Sequence, residues 1–328
     1  MSRVVIRLFL CGGLAAMGFS SCGKNNSPAG PFNIPHAPSN YLAEWGTYGS
    51  GKGQFIWPQG IAVNSAGTSI YLVDGGNNRV EVFTGSGAYL AGWGGYGTGP
   101  GEFSAEPGAF ECIALNSSGT TVYAADTYDY RVEVFSPSGA YRGQWGTYGT
   151  GNGQFYWGPG GVAVNQAGTT IYVVDPGNYR IQVFNSAGGY LAQWPCYSDL
   201  YNTPDIVVNS TGTTLYVSTG GYGSVNIYSP TGAALGQVGS TSGSGSGNGQ
   251  FNAPDGIALS PDNSKVYVVD KGNNRVEVFD SSGNYLSQFG SYGLAPGFFN
   301  APSFIAVDGA GYLYVTDSGN NRVEKFSP

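Results

Sequence analysis

One phrase of sequence recurs through this chain about every 50 residues, and this repeat limits the possible folds more than any other feature. Its first copy contains the runs Gly60-Ile-Ala-Val-Asn64, Ile70-Tyr-Leu-Val-Asp74, Arg79-Val-Glu-Val-Phe83 and Tyr89-Leu-Ala-Gly-Trp93-Gly94. These short runs are rich in Val, Ile, Tyr and Phe and are bounded by Gly, Asn or Ser, which is typical of β-strands. The chain is therefore expected to fold into repeated four-stranded units.

The number of copies predicts the architecture. The phrase returns at 112–145, 161–194, 206–238 and 256–290, and a sixth copy supplies only three strands before the sequence ends. The segment 39–46 matches the fourth strand of the other copies, so it is expected to complete the last unit, 302–327. Since a single four-stranded sheet cannot bury both faces alone, we expect an all-β, six-bladed β-propeller of antiparallel blades, closed by this shared blade.

Composition agrees with an all-β chain, because 56 glycines, 24 tyrosines and only 10% charged residues are a poor basis for helices. The arginine that opens the third strand recurs as Arg79, Arg131, Arg180, Arg275 and Arg322, and Val225 is expected to fill its place in blade 4. Each arginine follows an aspartate by five residues: Asp74, Asp126, Asp175, Asp270 and Asp317. We interpret these as structural pairs that brace the turn between the second and third strands.

The phrases Asp74-Gly-Gly-Asn-Asn-Arg79-Val, Asp270-Lys-Gly-Asn-Asn-Arg275-Val and Asp317-Ser-Gly-Asn-Asn-Arg322-Val resemble those of the NHL-repeat family. The resemblance extends over nearly all of 39–326 and implies a six-bladed propeller. Blade 4 departs from the pattern because it lacks both the aspartate and the arginine.

The N-terminus predicts export. Residues 1–21 combine a basic start with a short apolar run, as in a signal peptide, and the run is too short to span a bilayer. The segment Phe19-Ser-Ser-Cys22-Gly23 resembles the lipobox of bacterial lipoproteins, which implies lipidation at Cys22 and a location at the outer membrane or periplasmic face of the cell envelope. Residues 22–38 are then a flexible tether and 39–328 the propeller; simple secretion is the alternative, because Phe19 stands where that motif usually has Leu.

Charge and cysteine content limit the partners. Without residues 1–21 the chain has 11 basic and 20 acidic residues, which disfavours nucleic acid as a partner. A monomer is expected. Cys112 and Cys196 could pair in an oxidising compartment or remain as two buried thiols, and the sequence does not decide between them.

We name the strands of a blade a to d, from the axis outward. Alternating strand direction puts the d–a links and the b–c turns on one face of the disc. The residues entering strand a are expected to form a ligand rim on that face: Gln59, Glu111, Asp205, Asp255, Ser303, Trp57 and Trp157. The predicted function is therefore a binding or scaffold module for a protein, peptide or glycan ligand.

A catalytic role is less well supported by the sequence. His36, the single histidine, lies in the predicted tether, so histidine-based zinc, acid–base or triad chemistry is not expected. No cofactor is expected. The alternative is a calcium-dependent lactonase or esterase-like hydrolase with an axial site formed by Glu111, Asp205 and Asp255.

Overall fold

The computed structural model describes residues 38–104, 110–196, 204–220, 223–239 and 243–328. The predicted signal peptide, Cys22, His36 and the tether up to residue 37 lie outside these residues, and so does the side chain of Glu111. Within the described residues, no helix is long and apolar enough to cross a membrane.

Six four-stranded antiparallel sheets form the blades of a closed ring, as the repeat predicts. The bounds of strands a to d are as follows: blade 1, Pro58–Val63, Ile70–Asp74, Arg79–Phe83 and Tyr89–Gly94; blade 2, Phe110–Leu115, Val122–Asp126, Arg131–Phe135 and Tyr141–Trp145; blade 3, Val162–Val164, Thr170–Asp175, Arg180–Asn185 and Tyr190–Pro195; blade 4, Ile206–Val208, Leu215–Ser218, Val225–Tyr228 and Ala234–Val238; blade 5, Pro254–Leu259, Lys265–Asp270, Arg275–Asp280 and Tyr285–Phe289; blade 6, Pro302–Val307, Leu313–Asp317, Arg322–Phe326 and Tyr41–Trp45.

Short elements complete the d–a links and the b–c turns. Thr47–Tyr48 pairs in parallel with Gln54–Phe55, and Thr147–Tyr148 pairs in the same way with Gln154–Phe155. Single 3-10 turns occupy four b–c turns: Gly75–Asn77, Pro176–Asn178, Lys271–Asn273 and Ser318–Asn320.

Ring closure by the first strand is confirmed. Tyr41–Trp45 runs antiparallel to Arg322–Phe326, with Trp45 opposite Val323. Arg322 donates a 2.8 Å hydrogen bond from Nη1 to Glu44, and the Trp45 ring packs 6.1 Å from that of Phe83 in blade 1. The two ends of the chain therefore join blade 6 and also connect it to the next blade.

The core lies between the blades. Strand b of blade 1 is buried at every position, because neighbouring sheets cover both of its faces. A phenylalanine after each of five d–a links packs against an aromatic residue of strand c; for example, Phe55 lies 5.6 Å from Phe83, ring to ring. These fully buried side chains are Phe55, Phe103, Phe155, Phe251 and Phe299. Aromatic packing of this kind contributes about 0.5–1.5 kcal/mol per pair beyond the area it buries.

The outermost strand of every blade carries a β-bulge in its pairing with strand c. In each case one residue of strand d is skipped in the ladder. The skipped residues are Leu42, Leu90, Arg142, Leu191, Leu235 and Leu286. A bulge bends and twists the strand that contains it, so none of the six outer edges is a regular ladder.

The register of blade 4 corrects one prediction. Thr219 hydrogen bonds through its hydroxyl to Ser224, with 3.1 Å between the two oxygens, and Ser218 pairs with Val225 in the ladder. In blade 1 the aspartate–arginine pair, Asp74 and Arg79, stands one step beyond Val73 and Val80 in the ladder, and the corresponding pairs of blades 2, 3, 5 and 6 stand in the same way beyond the preceding pair. Ser224, and not Val225, therefore occupies the position of the arginine, and Thr219 that of the aspartate. Without these two markers the sequence alone did not set the register.

Candidate functional site

The repeated arginine joins each b–c turn to the d–a link that precedes its blade. In blade 5, Arg275 donates from Nε to Asp270 Oδ2 at 2.8 Å and from Nη2 to the carbonyl oxygens of Gly247 and Gln250 at 2.9 and 2.8 Å. Equivalent Nε to carboxylate distances of 2.6–2.9 Å join the other four pairs. The pairs are therefore structural supports beneath the face of the disc formed by the links and b–c turns.

Burial dominates the electrostatics of these carboxylates. Asp270 is fully buried, which raises its pKa, while the amide of Asn252, the side chain of Asn273 and Arg275 act in the opposite direction. The side chain therefore has three donors around it, at 2.7, 2.7 and 2.8 Å. A buried carboxylate with a full set of donors and a cation beside it is a supported ion, not a free reactive group.

Of the predicted acidic members of the rim, Asp205 and Asp255 are buried. Asp205 accepts hydrogen bonds from the amides of Ile206 and Ile257, at 2.8 and 2.9 Å, and so connects blades 4 and 5. Its burial, with the charge of Asp255 adding to the effect, raises its pKa to about 7. Asp255 is itself buried and forms a 2.9 Å ion pair with Lys271. Asp205 therefore stabilises the junction of blades 4 and 5, Asp255 is paired within blade 5, and these two carboxylates do not form an open acidic mouth.

The remaining rim residues divide into buried and exposed members. Ser303 is buried and lies 2.6 Å from the hydroxyl oxygen of Ser318. Gln59 is partly buried, and its Oε1 has no hydrogen-bond partner. Trp57 and Trp157 project from the face, with 53% and 45% of their surfaces exposed.

The calcium alternative does not fit the described carboxylates. Calcium takes six to eight oxygen ligands, but both oxygens of Asp205 already accept backbone amides and Asp255 already has an ammonium group beside it. Among the residues the structure describes, no group of three or more His, Cys, Asp or Glu side chains could hold a metal. The contribution of the Glu111 side chain lies outside those residues.

Exposed aromatic side chains are concentrated on the link and b–c turn face, which we call the aromatic face. Of the described aromatic residues that are largely exposed, nine lie on it: Tyr48, Trp57, Tyr96, Tyr128, Tyr148, Tyr156, Trp157, Tyr179 and Tyr292. The tyrosines at equivalent link positions, Tyr292, Tyr48, Tyr96 and Tyr148, follow one another over four consecutive junctions of the ring. Exposed aromatic clusters of this extent mark interaction sites on soluble proteins.

The densest part of the aromatic face is a platform formed by Tyr130, Tyr148, Tyr156 and Trp157 at the junction of blades 2 and 3. Tyr148 lies 5.0 Å from Tyr130 and 5.7 Å from Tyr156, ring centre to ring centre, and Tyr156 lies 6.1 Å from Trp157. The ring planes of the last two pairs are inclined to each other by 35° and 32°, and the three neighbouring rings form one contiguous aromatic cluster.

The backbone at this junction explains why the platform forms there. Tyr130 occupies the left-handed position after the b–c turn, with φ of 57°, where blades 1, 5 and 6 have the asparagines Asn78, Asn274 and Asn321. Asn274 and Asn321 accept hydrogen bonds from the next blade, since Asn321 Oδ1 accepts the amide of Trp57 at 3.1 Å and Asn274 Oδ1 that of Ala301 at 2.7 Å. In blade 2 a tyrosine ring stands in place of that amide side chain and packs on Tyr148.

A cavity of about 470 Å³ lies on the axis, between the six innermost strands. One aliphatic residue from the end of each strand a lines it: Val63, Leu115, Val164, Val208, Leu259 and Val307. Its lining continues to residues of the a–b hairpins such as Asn64 and Asn116. The lining of the axial cavity thus extends to the face opposite to the one on which the sequence predicted the ligand rim, and it also includes the predicted rim residue Asp205.

Both cysteines of the described propeller are buried thiols. Cys112 lines the axial cavity, and its Sγ accepts the amide of Val162 at 3.4 Å. Cys196 lies 3.6 Å from the hydroxyl oxygen of Tyr228. Of the two alternatives left open by the sequence, the structure has the two buried thiols.

Comparison with known proteins supports the fold and one repeat directly. The NHL repeat family matches residues 299–326. A crystal structure of a protein of unknown function from Bacteroides thetaiotaomicron is similar at 18% identity and a TM-score of 0.68, covering 87% of this chain and 76% of that one. No curated protein matches the sequence.

Two proteins with stated activities have the same fold. A streptogramin B lyase structure is similar at 14% identity and a TM-score of 0.58, covering 89% of this chain and 99% of that one. Hydrazine synthase from Kuenenia stuttgartiensis is similar at 14% identity and a TM-score of 0.57, covering 83% of each chain. Identities this low establish shared architecture and no shared chemistry. The chain is therefore a six-bladed β-propeller with an NHL repeat in its last blade.

Proposed function

We propose that the protein is a non-catalytic binding module that captures a neutral glycan on its aromatic face. The observation that carries this proposal is the exposed platform of Tyr148, Tyr156 and Trp157, whose neighbouring ring centres lie 5.7 and 6.1 Å apart. Flat apolar rings suit the C–H faces of pyranose sugars, and the hydroxyl groups of a glycan can bond to the polar groups beside the rings.

The charge of the platform supports a neutral ligand. From Gly143 to Val174 the sequence contains no charged residue, so the link that carries the platform offers no partner for phosphate, sulfate or uronate groups. Polar side chains without charge, such as Thr147, Asn152 and Gln154, lie in the same segment. Asp129 and Arg131, on either side of Tyr130, lie 3.4 Å apart and offset each other, so a strongly acidic or basic protein partner would also find little uncompensated charge there.

The rigidity of the site is a second support. Arg180 holds the carbonyl oxygens of Gly151 and Gln154 at 2.6 and 2.9 Å, and Gln182 accepts the amide of Gly153 at 2.8 Å. The platform is therefore largely preorganised, which lowers the entropy lost when a ligand binds.

The binding test is affinity electrophoresis of the purified protein through gels that contain a soluble neutral polysaccharide: a β-glucan, a xylan or a galactomannan, with alginate as the acidic comparison. We expect retardation by at least one neutral polymer and about a tenfold weaker interaction for Trp157→Ala and for Tyr148→Ala, since each removes a stacking ring. Tyr312→Ala is the matched control, because Tyr312 is a partly exposed aromatic residue in the a–b hairpin region of blade 6.

Three outcomes would contradict the glycan proposal. These are migration unaffected by every neutral polymer, retardation by alginate alone, and equal losses for Trp157→Ala and Tyr312→Ala. The last would mean that the platform is not the contact surface.

We also propose that the propeller is exported and held at the cell envelope by a lipid on Cys22, as the N-terminal sequence suggests. The tether, 22–38, contains no predicted strand and would leave the disc free to orient its aromatic face. Incorporation of a labelled fatty acid into the expressed protein, abolished by Cys22→Ser, is the expected result. A Cys22→Ser protein that still carries the label would exclude this anchor.

A further inference from the structure

A second acidic residue recurs in strand c, two positions after the arginine. Its members are Glu81, Glu133, Glu277 and Glu324, and in blades 3 and 4 the uncharged amides Gln182 and Asn226 stand at the same position of the ladder. The glutamates are almost completely buried. The brace described above accounts for the aspartate and the arginine but leaves these acids unexplained.

Gln182 shows what this position requires. Its Oε1 accepts the amide of Gly153 at 2.8 Å, and its Nε2 donates to the carbonyl oxygen of Gln154 at 2.8 Å and to Asp175 at 3.0 Å. The site thus needs one acceptor, directed to a link glycine, and one donor, directed to two oxygen atoms. An ionised carboxylate has no donor, whereas a protonated carboxyl group has one.

Glu133 and Glu277 reproduce the acceptor half of this pattern. Glu277 Oε1 accepts the amide of Gly249 at 3.2 Å, and Glu133 Oε1 accepts that of Gly101 at 3.0 Å. The second oxygen of each, Oε2, is buried without a hydrogen-bond partner. Because Gln182 and these glutamates occupy the same position of the ladder, we expect this oxygen to lie where Gln182 places its donating nitrogen, near the counterparts of the Gln154 carbonyl and the Asp175 carboxylate.

The charge balance of blade 5 leads to the same result. Asp270 has three hydrogen-bond donors and is paired with Arg275, so this pair is already neutral. An ionised Glu277 would add an uncompensated negative charge next to Asp270, and burying such a charge is costly. Burial raises the pKa of Glu277 to about 7, with Asp270 adding to the effect and Arg275 and the Gly249 amide opposing it.

We propose that Glu133 and Glu277 are protonated carboxylic acids in the folded protein in weakly acidic to near-neutral solution. In this form each stabilises, by hydrogen bonds, the d–a link that it contacts, and this stabilisation is lost when the carboxyl group ionises. Gln182 performs the same task without titrating. Gln182 contacts the link that carries the aromatic platform. That link therefore keeps its hydrogen bonds as the pH rises, whereas the links beside blades 2 and 5 lose theirs.

The groups that face Glu277 are few. Arg275 Nη2 lies 3.0 Å from its Oε1, Asp270 stands at the end of strand b, and Tyr285 on strand d has its pKa raised by burial and by the charge of Glu277. Glu133 has in addition Asp129, which lies 3.4 Å from Arg131, and Glu102; the charges of both contribute to the raised pKa of Glu133. Glu277 is therefore the cleaner site for a test.

The sign of the pH effect follows from the protonated form being the native one. The unfolded glutamate has a pKa near 4.5 and the folded one about 7, so between these values the folded state holds a proton that the unfolded state has lost. The stabilisation by this proton is fully present below the pKa of the unfolded glutamate. It decreases as the pH rises between the two pKa values and is lost above the pKa of the folded glutamate.

The experiment compares the urea midpoint of the purified full-length protein with those of three variants between about pH 5 and about pH 9. Glu277→Gln should match the wild type at the acidic end and exceed it at the alkaline end, and its proton uptake on folding at about pH 6 should fall by close to one proton. Gln182→Glu should match the wild type at the acidic end and have a lower urea midpoint at the alkaline end, and its proton uptake on folding at about pH 6 should rise by close to one proton. Glu102→Gln, at an exposed position where other repeats have glutamine, makes the same chemical change and should alter the pH dependence far less than Glu277→Gln, because the charge of Glu102 only adds to the raised pKa of Glu133.

Two results would overturn the inference. One is a Glu277→Gln midpoint that is lower than that of the wild type by the same amount at every pH, or a failure of this variant to fold, since both mean that a carboxylate is required. The other is a Gln182→Glu protein as stable as the wild type at about pH 9. None of these measurements involves a ligand, so they are independent of the proposed glycan binding.

Discussion

The arginine of the repeat should contribute more to the free energy of unfolding where it is deeply buried than where it is partly exposed, and Arg275→Ser tests this directly. The Arg275 side chain is 8% exposed and donates to Asp270, Gln288 and three carbonyl oxygens, whereas Arg79, with the same position in blade 1, is 21% exposed. Removing one partner of a buried ion pair costs about 3–5 kcal/mol, because the remaining charge is left uncompensated. We expect a loss of this size for Arg275→Ser and a smaller one for Arg79→Ser.

Blade 4 supplies the matched control for this prediction. It has Thr219 and Ser224 in place of the aspartate and arginine, joined by a hydrogen bond and without a charge. The double variant Asp270→Thr/Arg275→Ser should therefore be more stable than Arg275→Ser alone, by at least about 1 kcal/mol, since it leaves no buried charge. Free energies of unfolding from urea titrations followed by tryptophan fluorescence measure all three variants. A single variant that loses less than about 1 kcal/mol, or a double variant no more stable than the single one, would refute the reasoning.

Two further predictions concern packing. Gly158→Ala should destabilise the protein far more than Gly212→Ala in the same urea assay: both glycines have positive φ, at 87° and 71°, but a Cβ at Gly158 would lie 1.8 Å from the carbonyl oxygen of Thr127, whereas none of the described atoms lies within 4 Å of a Cβ at Gly212. Gly212→Ala should lose only about 1–2 kcal/mol, the cost of the left-handed conformation, and equal losses would contradict this. Cys112 and Cys196, exposed by 3% and 0%, should not react with an aromatic disulfide reagent in the native protein and should both react in urea; rapid native labelling of either would contradict their burial.

The fold could be predicted because its information is repeated. Each blade repeats similar strand lengths and turn residues, so a strand that is ambiguous in one blade can be assigned from its counterparts in the others. The match of 39–46 to the other outer strands was enough to predict ring closure. Blade 4 is the instructive exception. Its Thr219 and Ser224 keep the geometry of the brace with different chemistry, and only the hydrogen-bond ladder reveals the equivalence.

The site was harder to predict because burial depends on the neighbouring blade. Asp205 and Asp255 stand just where strand a begins, a position expected from sequence to face the mouth, yet both are buried. Asp205 accepts an amide of the adjacent blade, and Asp255 pairs with Lys271 of its own blade. The tryptophans Trp57 and Trp157 are exposed, in agreement with their place in the links. The contribution of Tyr130 was missed, although it stands where three other blades have asparagine, and that substitution is a usable signal. The glutamate series was likewise visible in the repeated Arg-Val-Glu-Val-Phe phrase, but its meaning depends on the unpartnered oxygens.

The bulges of the outer strands affect how readily neighbouring molecules of this protein associate through their sheet edges. A disc with six regular outer ladders could add strands from neighbouring molecules and grow sideways into fibres. Here every perimeter is interrupted at one residue, five times a leucine and once Arg142, so a foreign strand meets a twisted margin and cannot continue the hydrogen bonding. The protein can therefore reach a high local concentration without association between outer strands, and the aromatic face of each molecule remains available to a ligand.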